Sequence, residues 1–274
     1  MDRPAASLHS AAPRHERLDA ILDLVLAHGS VSVEHLVRQT GVSVATVRRD
    51  LDALAAQQLV LRTRGGATRP MGATDLPLRY RAGRDSATKE RIAREAAALV
   101  TPGSVIAMNG GTTTTAVAHA IATDPRFTDA SERQTTTLVT NAINIAQELA
   151  VRPHLHLVVT GGIVRAGSFE LVGSWGEHLL GQIALDTMVL GANGADVEHG
   201  ATADSAEEAT MAAALAARAR RTILCVDSSK LGRRAFALIR PTSGIDVLVT
   251  DDQAPAGEVA RWRDAGVEVR LTRA

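Results

Sequence analysis

Residues 43–67 read SVATVRRDLDALAAQQLVLRTRGGA, and the order of residue types here decides the fold of the first part of the chain. Ser43 is placed to cap a helix, because its hydroxyl can accept from a free first-turn amide. Val47, Leu51 and Leu54 then recur at i, i+4 and i+7 and form one apolar stripe. Ala45, Arg48, Arg49 and Asp52 fall on the opposite face, and Thr46 in the first turn can reach the same surface. Leu59, Val60 and Leu61 start a strand, and Arg62-Thr63-Arg64-Gly65-Gly66 suits a basic hairpin tip. A small residue and two arginines near a helix N-terminus, facing away from the core, suit base edges and phosphates, with the hairpin as a wing beside them.

The residues just upstream complete the motif. Leu18, Ile21, Leu22 and Val25 recur at helical spacing, and Gly29 after His28 is a C-cap signal. Ser32 caps a second helix bearing Leu36 and Val37, which ends at Thr40 and Gly41. A short glycine-containing turn between two short helices is the mark of a helix-turn-helix. Paired arginines alone favour a solvated helix face, and a three-helix unit can serve as a dimerisation or protein-binding module. The two capped helices, the glycine turn and the arginine-glycine wing together favour DNA.

Composition sets the remaining limits. The 274 residues suffice for a small module and one larger domain. Aromatics are only 2%, so the core must be built from Ala, Val, Leu and Ile. The 30 basic and 30 acidic side chains balance, so the chain as a whole does not advertise nucleic-acid binding. Between residues 38 and 69, however, six Arg stand against Asp50 and Asp52, a local footprint for phosphate. The single cysteine, Cys225, lies in an apolar run, so no intrachain disulfide can form and a buried core thiol is expected. No apolar run approaches about 18 residues and the start has no hydrophobic signal region, which leads to the expectation of a cytoplasmic protein whose first dozen residues are disordered.

Three regions follow: a winged helix-turn-helix over 14–69, a linker over 70–88 rich in Pro, Gly and Asp, and a larger domain over 89–274. An amphipathic helix is expected over 89–100. Strand-like runs lie at 105–108, 137–140, 155–159, 187–190, 222–226, 247–250 and 267–271. Helical stretches lie between most of them, notably at 113–122, 142–150, 206–220 and 257–265. This alternation predicts an α/β domain with a mainly parallel sheet, whose ligands bind at the carboxyl ends of the strands.

Polar motifs cluster at those ends. Asn109-Gly110-Gly111-Thr112-Thr113-Thr114-Thr115 opens a helix and offers close backbone approach, free amides and hydroxyls, as an anion cradle requires; an ordinary strand–helix turn has the same residues. Asn141, Gly161, Gly162 and Arg165 follow later strands. So do Asn193, Asp196, Thr202, the pair Glu207 and Glu208, and Lys230. The chain holds 28 Arg and only two Lys, Lys89 and Lys230. A lysine at a strand end in so arginine-rich a chain suits a specific contact, since a compact ammonium is not interchangeable with a guanidinium. A solvated loop lysine is the plain alternative. His154 and His156 alternate on a strand without a third ligand, so no metal site is implied, nor any cofactor. No G-x-S-x-G nucleophile motif occurs.

The VSVATVRRDL core and the RTRGGA wing resemble the DeoR family of bacterial transcriptional regulators, and the resemblance extends over residues 14–273. It implies a recognition helix and wing that bind double-stranded operator DNA, most often for repression. By position the implied DNA contacts are Ser43, Thr46, Arg48, Arg49, Arg62 and Arg64. It also implies a sensor domain resembling the ribose-5-phosphate isomerase fold, which binds a phosphorylated sugar or related metabolite. The implied ligand shell is Gly111, Thr112, Thr113, Asn141, Arg165, Asn193, Asp196, Thr202, Glu207 and Lys230. The family often carries an aspartate where this chain has Asn109, a departure that bears on the contacts to the effector. The expectation is a homo-oligomeric, carbohydrate-operon repressor without enzymatic activity. The alternatives are a sugar-phosphate isomerase or deaminase with an appended DNA-binding module, in which Asp196 or Glu207 serves as a base beside Lys230, and a protein-interaction adaptor.

Overall fold

A computed structural model describes residues 13–57, 59–69, 86–128 and 135–273. The disorder expected for the first dozen residues and most of the expected linker, 70–85, lie outside the described residues. The chain divides into two compact units, Met1–Tyr80 and Arg81–Ala274.

The first unit contains α1 (Arg14–His28), β1 (Ser30–Ser32), α2 (Val33–Thr40), α3 (Val44–Ala56), β2 (Leu61–Arg62) and β3 (Gly66–Thr68). Each expected cap is present. Ser32 accepts from the His35 amide, Ser43 from the Thr46 amide, and Gly41 closes α2 in the left-handed region. Ile21, Leu22 and Val25 of α1 bury against Leu36 of α2 and against Val47, Leu51 and Leu54 of α3. Leu59 and Val60 prove to be core residues, and the strand begins only at Leu61. β1 has no counterpart in the sequence analysis. It pairs antiparallel with β3, giving the order β1-β3-β2. Gly66 explains its place there: a Cβ would stand 2.0 Å from the Val31 carbonyl oxygen, so only glycine lets the wing strand lie on β1.

The second unit begins with α4 (Ser86–Ala98), so Ser86, Ala87 and Thr88 are helical and do not belong to the linker that 70–88 outlined. Then come β4 (Val105–Met108), α5 (Thr112–Thr123), α6 (Pro125–Thr128), β5 (Thr136–Thr140), α7 (Ile143–Leu149), β6 (Leu155–Val159), β7 (Ile163–Arg165) and β8 (Glu170–Val172). After them run α8 (Ser174–Leu180), β9 (Leu185–Leu190), β10 (Gly194–Asp196), β11 (Gly200–Ala203), α9 (Ala206–Arg218) and β12 (Ala219–Cys225). The chain closes with β13 (Ala237–Arg240), β14 (Val247–Asp251), α10 (Ala256–Asp264) and β15 (Glu268–Thr272). A seven-stranded, all-parallel sheet runs β15-β14-β12-β9-β4-β5-β6. All seven strands were expected from apolar runs, because parallel strands buried on both faces read as continuous hydrophobic stretches. Their side chains alternate between two cores. Ile106 and Met108 belong to the core that holds α4, α5 and α7, while Ala107 belongs to the core that holds the alanine-rich α9 and Trp262 of α10. Two short antiparallel pieces, β7-β8 and β10-β11-β13, stand outside the sheet.

From β4 the chain runs outward through β5 to β6, then returns to β9 on the other side of β4 and runs through β12 and β14 to β15. The strand order therefore reverses between β4 and β9, where an open α/β sheet leaves a crevice at the carboxyl ends of its strands.

Candidate functional site

The first unit presents one basic surface. Arg48 and Arg49 project from the first half of α3 and are exposed, as are Ala45 and Asp52. Arg64 stands exposed at the wing tip. None of these three arginines is in an ion pair among the described residues. Ser43 and Thr46 share a 2.9 Å hydroxyl hydrogen bond at the helix start, so each is partly engaged in the cap. Arg62 differs. Its Nε lies 2.9 Å from the Asp52 carboxylate and its NH1 donates to the Gly66 carbonyl at 2.8 Å. It joins α3 to both strands of the wing, and in this arrangement its guanidinium is not a bare phosphate contact. Asp50 does not oppose the basic face either. It is buried and accepts from Arg17 at 2.7 Å, a hydrogen bond that raises the Arg17 pKa further. The cation excess read from 38–69 is thus larger at the surface than the count suggested.

The second unit holds a cleft of about 230 Å³ at the carboxyl ends of β4, β9 and β12, beside the point where the strand order reverses. Gly111, with φ of 136°, lines the cleft and precedes α5, whose first turn has no side-chain cap. Thr114 and Thr115 donate their hydroxyls to the Gly111 carbonyl and stiffen the turn, while Thr112 and Thr113 line the cleft. The free amides and the helix dipole favour an anion there. Asn109 clips two strand ends together. Its Nδ2 donates to the Gly191 carbonyl at 3.1 Å and its Oδ1 accepts from the Gly191 amide at 2.8 Å. An aspartate could meet only the amide. The Asn109 departure therefore falls on a clip between β4 and β9, with both its polar atoms committed to the backbone.

Lys230 lies on a short turn after β12. That turn is set by Asp227, which accepts from the Ser229 amide, and by Asp251, which accepts from the Ser228 amide at 2.7 Å. Across the cleft, Lys89 of α4 is buried and lines the same space. Both lysines of the chain therefore face one cleft. Cys225 also borders it, fully buried, and burial pushes its thiol well above the ordinary range, so it stays protonated.

The hairpin β7-β8 supplies Ser168 and Glu170 to the cleft. Gly161 and Gly162 precede it and Gly173 follows it, all at positive φ. Its turn holds Phe169 at φ 59°, the non-glycine residue with positive φ among the described residues. Arg165 fastens it to α9, with Nε 2.7 Å from Glu208 Oε1.

Of the ten ligand residues that the family resemblance implied, Gly111, Thr112, Thr113, Asn193 and Lys230 line the cleft. Asn141 does not. It is buried behind Glu170 and donates to the Glu170 carboxylate at 2.9 Å. Arg165 acts through Glu208, which does line the cleft, while Glu207 is exposed and pairs loosely with Arg165 at 3.9 Å. Thr202 is buried in β11 and bonds Gly194 and Ala235. Asp196 is turned to its own loop, where Oδ1 accepts from the Glu198 and His199 amides and meets His199 Nδ1 at 2.8 Å. Desolvation opposes its ionisation, but those hydrogen bonds outweigh it and hold the carboxyl below its usual range. Asp196, Glu198 and His199 form a small group of potential ligand atoms, yet neither Asp196 nor Glu207 borders the cleft. Lys89, Ser168, Glu170 and Glu208 were missed as site residues. The scarcity of lysine was the signal that could have found Lys89.

Both units of the chain are similar to known proteins. Residues 17–71 match the DeoR-like helix-turn-helix domain and residues 84–252 match the DeoR C terminal sensor domain. The glycerol-3-phosphate regulon repressor of Escherichia coli (strain K12) is 32% identical over 256 residues, covering 93% of this chain and 98% of that one. The HTH-type transcriptional regulator GlpR of Haloferax volcanii is 33% identical over 256 residues, covering 93% and 96%. A ribose 5-phosphate isomerase A from Methanocaldococcus jannaschii overlaps 54% of this chain and 55% of its own at 20% identity and a TM-score of 0.39, which bears on neither activity nor ligand.

Proposed function

We propose the following division of labour for this chain, which belongs to the DeoR family of transcriptional regulators. It is a DNA-binding repressor of a carbohydrate-metabolism operon, and its effector is a phosphorylated sugar or related metabolite. Residues 14–69 read the operator. Thr46, Arg48 and Arg49 of α3 face the major groove, with Arg64 on a flanking phosphate. Arg62 holds the wing against α3. Residues 89–274 sense the effector. The observation that carries this half is the meeting of Lys89, Lys230 and the start of α5 in one cleft, within a chain that otherwise uses arginine for its cations.

The protein is cytoplasmic and works as a homo-oligomer, so that two heads meet half-sites about 10 bp or a multiple apart. Among the described residues no helix is long and apolar enough to cross a membrane. Effector control needs only that the sugar phosphate bind one arrangement of the oligomer more tightly than another. The chain is not an enzyme. The two carboxylates first considered as a base, Asp196 and Glu207, stand outside the cleft.

One experiment separates these possibilities. The purified protein is incubated with ribose 5-phosphate, glycerol 3-phosphate and glucose 6-phosphate while turnover, melting temperature and operator binding are followed. Stabilisation with altered operator binding and no turnover is expected. Turnover would restore the isomerase reading, and absence of any DNA shift at low salt would favour an adaptor.

A further inference from the structure

We propose that the hairpin β7-β8 reads the hydroxyl-bearing part of the effector, with Ser168 and Glu170 as specificity-determining residues beside the phosphate seat. The inference rests on the assignment of the cleft to a phosphorylated sugar or polyol.

Ser168 is only 6% exposed, it lines the cleft, and its Oγ has no hydrogen-bond partner among the described residues. A buried hydroxyl left without a partner is uncommon in a folded protein. A ligand that brings a hydroxyl or an ether oxygen would satisfy it, since a serine can both donate and accept.

Glu170 is the second point of contact. The residue is 4% exposed, and its carboxylate accepts a hydrogen bond from Asn141 Nδ2 at 2.9 Å. It presses on the phosphate seat so closely that a Cβ on Gly110 would stand 2.4 Å from its Cγ and 2.7 Å from its Oε1. An ionised carboxylate only accepts hydrogen bonds, so an unprotonated phosphate oxygen cannot bond to it but a sugar hydroxyl can. The cleft is thus divided. The α5 amides and Lys230 offer donors to an anion, and the hairpin offers an acceptor and an unengaged hydroxyl immediately beside them. A ligand that carries a phosphate and neighbouring hydroxyls fills both parts at once, whereas inorganic phosphate in the first part brings no carbon-borne hydroxyl to the second. Because a site with buried polar groups discriminates strongly against ligands that leave those groups unmet, the hairpin sets which phosphate ester is accepted.

The test uses the full chain and calorimetric titration with inorganic phosphate, glycerol 3-phosphate, ribose 5-phosphate and glucose 6-phosphate. The preference of the parent protein is the ratio of its affinity for the tightest ester to its affinity for inorganic phosphate. S168A and E170Q are each expected to lower that ratio about tenfold, the loss of one or two hydrogen bonds, while inorganic phosphate affinity stays within about twofold. K230A is expected to weaken every probe, inorganic phosphate included. If S168A and E170Q both leave the ratio unchanged while K230A weakens all probes, the role of the hairpin is wrong and the phosphate seat stands. If the parent protein binds none of the four probes, the assignment of the cleft itself fails and this inference falls with it.

Discussion

The guanidinium Nε of Arg165 lies 2.7 Å from Oε1 of Glu208 and so fastens the hairpin β7-β8 to the first turn of α9. Ser205 caps the same turn by accepting from the Glu208 amide, which leaves the Glu208 carboxylate for Arg165. Arg165→Gln should loosen the hairpin without unfolding the domain, because the arginine is 43% exposed and such pairs contribute at most about 1 kcal/mol. Titration should show sugar-phosphate affinity reduced several-fold and a melting temperature close to that of the parent. An unchanged affinity would mean that the hairpin keeps its place without this pair.

The two lysines should separate sensing from DNA binding. Lys230→Ala is expected to leave operator affinity intact and to abolish its response to sugar phosphate. Lys89→Ala should do the same, with some added loss of stability because Lys89 is buried. Mobility shifts with and without the ester provide the check. A variant of Lys230 whose operator affinity still moved with the ester as in the parent would refute the assignment.

The head allows a charge argument to be set against a geometric one. Arg48→Ala should cost roughly 1–3 kcal/mol on the cognate operator, and Arg64→Ala should lower the salt slope by about one phosphate contact. Asp52→Ala removes a negative charge, so simple electrostatics would have it tighten binding. Because Asp52 holds Arg62, and Arg62 holds the Gly66 carbonyl, the variant should weaken specific binding and leave non-specific binding equal or stronger. Competition titrations against random duplex would show it.

Stability should carry a small acid dependence from Asp124. The side-chain hydrogen bond from Arg126, with Oδ2 2.7 Å from NH2, outweighs desolvation and holds the Asp124 carboxyl below its ordinary value of 3.8. With the folded value below the unfolded one, the contribution is present above about pH 4 and fades as pH falls through the folded value. Asp124→Asn should therefore cost about 1 kcal/mol or less at pH 7, and the difference from the parent should shrink as pH falls below the folded value. Denaturant melts at pH 7 and at acid pH measure it; an undiminished difference at acid pH would assign the effect to the amide itself.

How much of this was legible depended on the length of each signal. The helix-turn-helix announced itself through Ser32, Gly41 and Ser43, whose capping roles are local chemistry. The seven central strands announced themselves as apolar runs. The three- and four-residue strands β7, β8, β10, β11 and β13 did not, because so short a run carries no period. The lining of the cleft was legible at Gly111–Thr113 and Lys230, where turn chemistry follows a strand. Asp196 shows the limit of that logic: it follows β9 by six residues, but β10 carries it away from the cleft to His199. Ser168 and Glu170 come to the cleft only through the return of a hairpin and through the hold of Asn141, neither of which leaves a mark in linear order.

The contact between Gly110 and Glu170 has a consequence for how such a protein can diverge. The space that a side chain at position 110 would need is already filled by the carboxylate at 170. Glycine at 110 is thus the condition for glutamate at 170, and a smaller residue at 170 would release position 110. Related chains that respond to other esters should therefore change the two positions together, so that the pair acts as one inherited character even though 60 residues separate its members.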